Sequence, residues 1–258
     1  MRTAAHWCLL ALVLAALVAT LAAQGLSTRT TGPSRTPVGG QTPGVLAGAR
    51  SILSWNGKRL ASREAPPGRR VALTFDDGPD PRWTPRVAAV LRRLHVPATF
   101  FAVGSKVVRY PALVRSLHRQ GFELGNHTFT HVDLASVGPW ERRAQITLTE
   151  SALEAAVGVG TRLIRPPYSS VPAAVTASQA RVYGDLASHG YLIVLSNFDG
   201  EDWRRPGVGA IVRAATPRSS AGIVLLHDGG GDRSETVAAV ERLVPRLRAR
   251  GFRFVTVS

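Results

Sequence analysis

From Arg69 onward, short apolar runs recur along the chain, and most are followed by a stretch long enough to form a helix. VALTF (71–75), ATFFAV (98–103), FELGN (122–126), TRLIRPPY (161–168), YLIVLSNFD (191–199), GIVLLHD (222–228) and FRFVTVS (252–258) make seven strand candidates. Their enrichment in β-branched and aromatic residues is that of strands. Between the first two, Thr84 is expected as an N-cap with Pro85 at the first helical position. PALVRSLHRQG (111–121) reads as a helix that stops at Gly121, and residues 139–157 read as another. Strand-helix alternation of this kind predicts an α/β domain with a mainly parallel sheet. Seven units are compatible with barrel-like closure and with an open sheet.

Upstream the pattern changes. Residues 27–68 contain STRTTGPSRTPVGGQTPGVLAG, rich in Ser, Thr, Gly and Pro and without hydrophobic period, and read as a flexible linker and N-terminal extension. A short strand or accessory edge is expected within residues 51–68. Residues 7–23, WCLLALVLAALVATLAA, are apolar and uncharged and follow Arg2. Residues 1–26 therefore read as a secretory signal, or as a single membrane anchor if not cleaved. Export is the expectation, with the product secreted or anchored facing the cell envelope.

With 258 residues, 45% of them hydrophobic, the chain can bury one full core. Its only cysteine is Cys8, in the apolar leader, so residues 69–258 hold no disulfide, thiol nucleophile or cysteine ligand. The net charge of +15 is nearly all arginine, scattered along the chain and not interleaved with aromatics in one tract. That distribution argues against nucleic acid and leaves arginine bias or a polyanionic envelope polymer as explanations. A monomer is expected.

The polar residues gather where the apolar runs end: Asp76–Asp77, Asn126–His127, Arg165 to Tyr168, Asp199 to Trp203 and His227–Asp228. In α/β folds that edge is where sites are built. HTFTH (127–131) carries histidines four apart, which on a helical turn would share a face, a metal-ligand spacing. Thr128 stands where a zincin carries glutamate, so this is not that protease motif. Two histidines and an aspartate leave open positions on a divalent ion, and the neighbouring aspartate can act as general base. His227 can be a general acid kept protonated by Asp202. His6, His95, His118 and His189 receive no role. DGGGD (228–232) lacks the Lys-Ser/Thr of a phosphate loop, and no GxSxG is present.

TFDDGPD, HTFTH, RPPY, DGEDW and LLHD, in this order, resemble the motifs of the polysaccharide deacetylases (NodB-homology domain, carbohydrate esterase family 4) over residues 69–258. The resemblance implies a catalytic domain with a distorted (β/α)7-type barrel. It implies Asp76 as general base, with Asp77, His127 and His131 as ligands of a divalent metal, usually zinc, with cobalt or another ion possible. Arg165 would orient Asp76, the Tyr168 N–H would stabilise the oxyanion, and Asp202 would tune His227 as general acid. Trp203 and Leu225 would line the acetyl pocket. Ser169 and Ser170 stand where the family often has glycine, which bears on the local loop. The implied activity is removal of acetyl groups from an N-acetylated glycan, peptidoglycan or a chitin-like oligomer. An O-deacetylase of a polysaccharide such as xylan and a non-catalytic glycan-binding module are the alternatives.

Overall fold

A computed structural model describes residues 52–62, 68–168, 171–218 and 221–258. The leader (1–26), most of the linker and the Ser169–Ser170 departure lie outside the described residues. No helix among those described is long and apolar enough to cross a membrane.

The strands are β1 (Ile52–Trp55), β2 (Leu60–Ser62), β3 (Arg70–Gly78), β4 (Ala98–Ala102), β5 (Glu123–Asn126), β6 (Leu163–Ile164), β7 (Leu192–Val194), β8 (Phe198–Asp199), β9 (Gly222–His227) and β10 (Arg253–Phe254). The α-helices are α1 (Thr84–Arg93), α2 (Gly104–Arg109), α3 (Pro111–Arg119), α4 (Pro139–Val157), α5 (Ala177–Ser188), α6 (Val208–Ala214) and α7 (Ser234–Ala249). One sheet runs β2-β1-β7-β6-β5-β4-β3-β9-β8, with β10 also paired to β3. From β7 to β8 every pair is parallel, while β1 joins β2 and β7 antiparallel.

β7 and β8 stand at opposite ends of the parallel run, yet only residues 195–197 separate them in the chain. The sheet must therefore curl until its ends approach, which is the distorted barrel expected from the motifs. The run expected as one strand over 191–199 is thus two, broken where the chain steps across the opening. The β1–β2 hairpin, in the segment expected to hold an accessory edge, adds to β7.

Helix limits follow the sequence signals closely at α4, which ends at Gly158 with φ +78, and at α3, followed by Gly121 with φ +79. Glycine takes this left-handed geometry without steric cost. Thr84 departs from expectation. It is the first helical residue, behind Trp83, because Asp80 already accepts the N–H groups of Arg82 and Trp83. Its hydroxyl turns inward to the Asp228 carboxylate. The main core packs Leu73, Phe75, Phe100 and Leu226 of the strands against Val87 and Leu91 of α1 and Leu243 and Leu247 of α7. This fixes the strands whose C-terminal ends carry the polar clusters.

Candidate functional site

Asp76 and Asp77 share one site because of a β-bulge. Along β3, Asp76 pairs with Phe101 and Gly78 with Ala102, which leaves Asp77 as the extra residue, with φ +72. A bulge breaks the strict alternation of side chains. The device is therefore inside the strand, which continues to Gly78. Asp80 belongs to the turn, where its carboxylate accepts the N–H groups of Arg82 and Trp83.

HTFTH is not helical. Asn126 ends β5, and the segment after it is an irregular loop in which Thr128 and His131 both take left-handed backbone, φ 62 and 61. The loop is held from several sides. The Gln145 side chain on α4 accepts the N–H groups of Phe129 and Thr130 at 2.9 and 2.8 Å, and Asn126 accepts that of Thr128 at 2.9 Å. The two imidazoles still converge, with ring centroids 5.0 Å apart. His131 Nε2 lies 2.9 Å from Asp77 Oδ1 and His127 Nε2 lies 3.4 Å from it.

The donor set fits a divalent cation. One ligand atom each from Asp77, His127 and His131 lies within 4.8 Å of the others. Asp77 Oδ1 is buried without a hydrogen-bond partner among the described residues, an arrangement that a bound cation would satisfy. His127 Nδ1 sits 2.7 Å from the Arg165 carbonyl, which can only accept, so Nδ1 bears the proton and Nε2 is left free to hold a cation. Burial pushes the Asp77 carboxyl up, but the two histidines beside it outweigh that and hold the group well below the usual carboxylate range.

Arg165, at 1% exposure, donates through Nη1 to Asp76 Oδ1 at 2.8 Å and to Thr74 Oγ1 at 2.7 Å. Its Nε reaches the Val194 carbonyl, and its guanidinium lies 4.4 Å over the Phe101 ring. Asp76 is in register with His227 on the adjacent β9, as Thr74 is with Leu225, so the four line one stretch of the sheet. Asp202 grips His227 at two points, Nδ1 at 2.7 Å and the backbone N–H at 2.9 Å, and accepts from Thr236. Burial lowers the pKa of His227, but the Asp202 hydrogen bond and charge, with smaller help from Asp77 and Asp76, push it up to about 9.

Tyr168 is 72% exposed with φ 63, and its hydroxyl is 3.2 Å from His131 Nδ1. Trp203 is exposed beside Asp202, with the Arg204 guanidinium 4.8 Å over its ring. Leu225 is buried. The structure thus brings the five motifs to one end of the sheet. Sequence reasoning missed Thr74, Gln145 and Thr236. Thr74 is the one polar residue in VALTF, a usable signal, whereas the other two lie on helices with nothing to mark them.

The polysaccharide deacetylase family model matches residues 63–184. A peptidoglycan-N-acetylglucosamine deacetylase of Bacillus cereus is 42% identical over 193 residues, covering 73% of this chain and 86% of that protein. A chitooligosaccharide deacetylase of Sinorhizobium fredii is 38% identical over 206 residues, covering 75% and 93%. Among solved structures, a family 4 carbohydrate esterase from Streptomyces lividans in complex with acetate superposes with TM-score 0.65 at 30% identity, covering 75% of this chain and 95% of that one. A curled parallel sheet with its polar clusters at one end is the architecture of a deacetylase barrel. The chain belongs to the polysaccharide deacetylase family.

Proposed function

We propose that the protein is an exported, metal-dependent hydrolase that cleaves the acetamide of N-acetylated glucosamine units in an envelope glycan. Peptidoglycan is the first substrate choice and a chitin-like oligomer the second, by similarity to relatives that bear those names. The observation that carries the reading is a base and an acid on adjacent strands, Asp76 in register with His227, beside the ligand set of Asp77, His127 and His131.

Two imidazoles and one carboxylate suit zinc and leave coordination positions open. When bound, the ion supplies Lewis-acid polarisation of the acetyl carbonyl and acidifies water. Asp76 takes the proton of the attacking water, and Arg165 holds the Asp76 carboxylate in place for it. As the carbonyl oxygen gains charge, the Tyr168 N–H donates to it. His227, kept protonated by Asp202, delivers its proton to the departing nitrogen, the C–N bond breaks, and acetate and a free amine result. Leu225 and Trp203 enclose the acetyl methyl. Residues 1–26 direct export as a cleaved leader or an anchor, residues 27–68 act as tether and extension, and residues 69–258 work as a monomeric catalytic domain.

The test is acetate release from N-acetylglucosamine oligomers, peptidoglycan and acetylxylan in parallel, with and without a chelator. Chelator-sensitive release from the first two is expected. Release from acetylxylan alone would make the protein an O-deacetylase, and none from any substrate would leave a glycan-binding module. Within the site, Asp76→Asn is expected to abolish turnover while metal binding survives, and Asp77→Ala to lose the metal. Full activity in either variant sinks the role assigned to that residue.

A further inference from the structure

The glycine-rich segment 228–232 follows His227 directly but has no part in the chemistry above, and neither does Lys106. Both close on Asp77. The Lys106 ammonium donates to the Asp77 carbonyl at 2.6 Å. Gly229 lies so near that a Cβ built on it would stand 2.2 Å from the same carbonyl oxygen. Gly230, with φ +76, lies against the side chain: a Cβ there would stand 2.6 Å from Asp77 Oδ2. The other carboxylate oxygen, Oδ1, is the one that faces His131 and His127. Beneath the bulge, the Asp228 carboxyl occupies the space that a side chain on Gly78 would need, and Thr84 bonds it there.

We propose that Gly229, Gly230 and Lys106 form a cradle that positions Asp77, fixing its left-handed backbone and turning Oδ1 toward the two imidazoles. A residue other than glycine with positive φ persists only where its surroundings hold it. Here the peptide carbonyl is gripped by an ammonium on one side and covered by a bare backbone on the other. The two carboxylate oxygens are chemically equivalent, so what distinguishes them is room. Gly230 lets Oδ2 settle against its backbone, and any side chain at that position would push the carboxylate out of its present plane. This inference rests on the reading of Asp77 as a metal ligand.

The experiment titrates zinc into the metal-free full chain against a chromophoric competing chelator. It also records the absorption spectrum of the cobalt form and the melting temperature of the metal-free protein. Gly230→Ala is expected to weaken zinc binding about ten- to a hundredfold, the usual effect of disturbing groups that orient a ligand, and to alter the cobalt spectrum. Gly231→Ala is the control. That residue also has positive φ, +143, but the nearest atom to its Cβ position is Arg233 Nη2 at 3.6 Å, so backbone strain arises without contact with Asp77. It is expected to keep parent affinity. Lys106→Met supplies a second reading if Gly230→Ala fails to fold. Loss of its positive charge would by itself tighten cation binding, so weakened binding reports lost position. Parent or tighter affinity in Lys106→Met, together with parent affinity in any folded Gly230→Ala, overturns the cradle. Parent affinity in Asp77→Ala as well would move the failure to the ligand reading.

Discussion

Arg165 is fully buried and divides its donors among Asp76, Thr74 and the Val194 and Leu195 carbonyls. Its removal would leave Asp76 buried beside polar groups without their partner. Arg165→Met is expected to destabilise the fold by about 3–5 kcal/mol, read by urea denaturation. Arg165→Lys should rescue little of this, since an ammonium cannot supply the planar fork. At His227 the prediction concerns pH. A pKa raised to about 9 keeps the imidazole protonated through neutrality, so kcat/KM should fall as pH rises through about 9. The linkage has the same sign. The stabilisation from the His227–Asp202 pair is complete below the unfolded pKa of roughly 6.5 and is lost as pH rises through the folded value. In Asp202→Asn burial acts unopposed by that partner, so the alkaline limb of the pH–rate profile should move to lower pH. An unmoved limb would show that another group sets it.

At the scale of elements, the histidine loop depends on the next helix in the chain. Gln145 of α4 accepts two N–H groups of that loop and donates to the Thr130 hydroxyl at 2.8 Å. Gln145→Leu strips these partners while keeping an apolar volume. Zinc affinity is expected to fall about tenfold or more, with α-helix content by circular dichroism unchanged. The loop also shows where reading the sequence stops. Strands β3, β4, β5 and β9 were legible as apolar runs, α3 as a run closed by Gly121 and α4 as a helical stretch over 139–157. The histidines were legible by type and spacing, but their helical turn was not real. Spacing records only that two side chains can meet, and Asn126 and Gln145 bring them together by bonding an irregular backbone. The bulge at Asp77 was equally hidden, because it depends on register with β4 and not on local composition. The break between β7 and β8 falls at Leu195, Ser196 and Asn197; Ser and Asn are turn-favouring residues, but two of them between the apolar runs LIVL and F do not by themselves separate one strand from two.

For the whole molecule, the proposed ligands come from β3 and from the loop that follows β5, strands already packed into the core. Removing the metal should therefore abolish activity without unfolding the protein. Dialysis against a chelator is expected to leave the far-ultraviolet spectrum intact and lower the melting temperature. Zinc should restore both activity and melting temperature, by mass action on the folded state alone. Collapse of the spectrum would mean that the metal is needed to build the fold. The buried guanidinium has a separate consequence at this scale. Arg165 joins Thr74 and Asp76, 91 and 89 residues away, to the Val194 carbonyl, 29 residues away. These bonds form together only when strand β3 and the segments that carry on from β6 and β7 enclose it, and until then it is better solvated by water. The arginine thus works as a checkpoint on assembly: a partly closed sheet gains nothing from it, so Asp76 is set in place in the same cooperative event that closes the barrel.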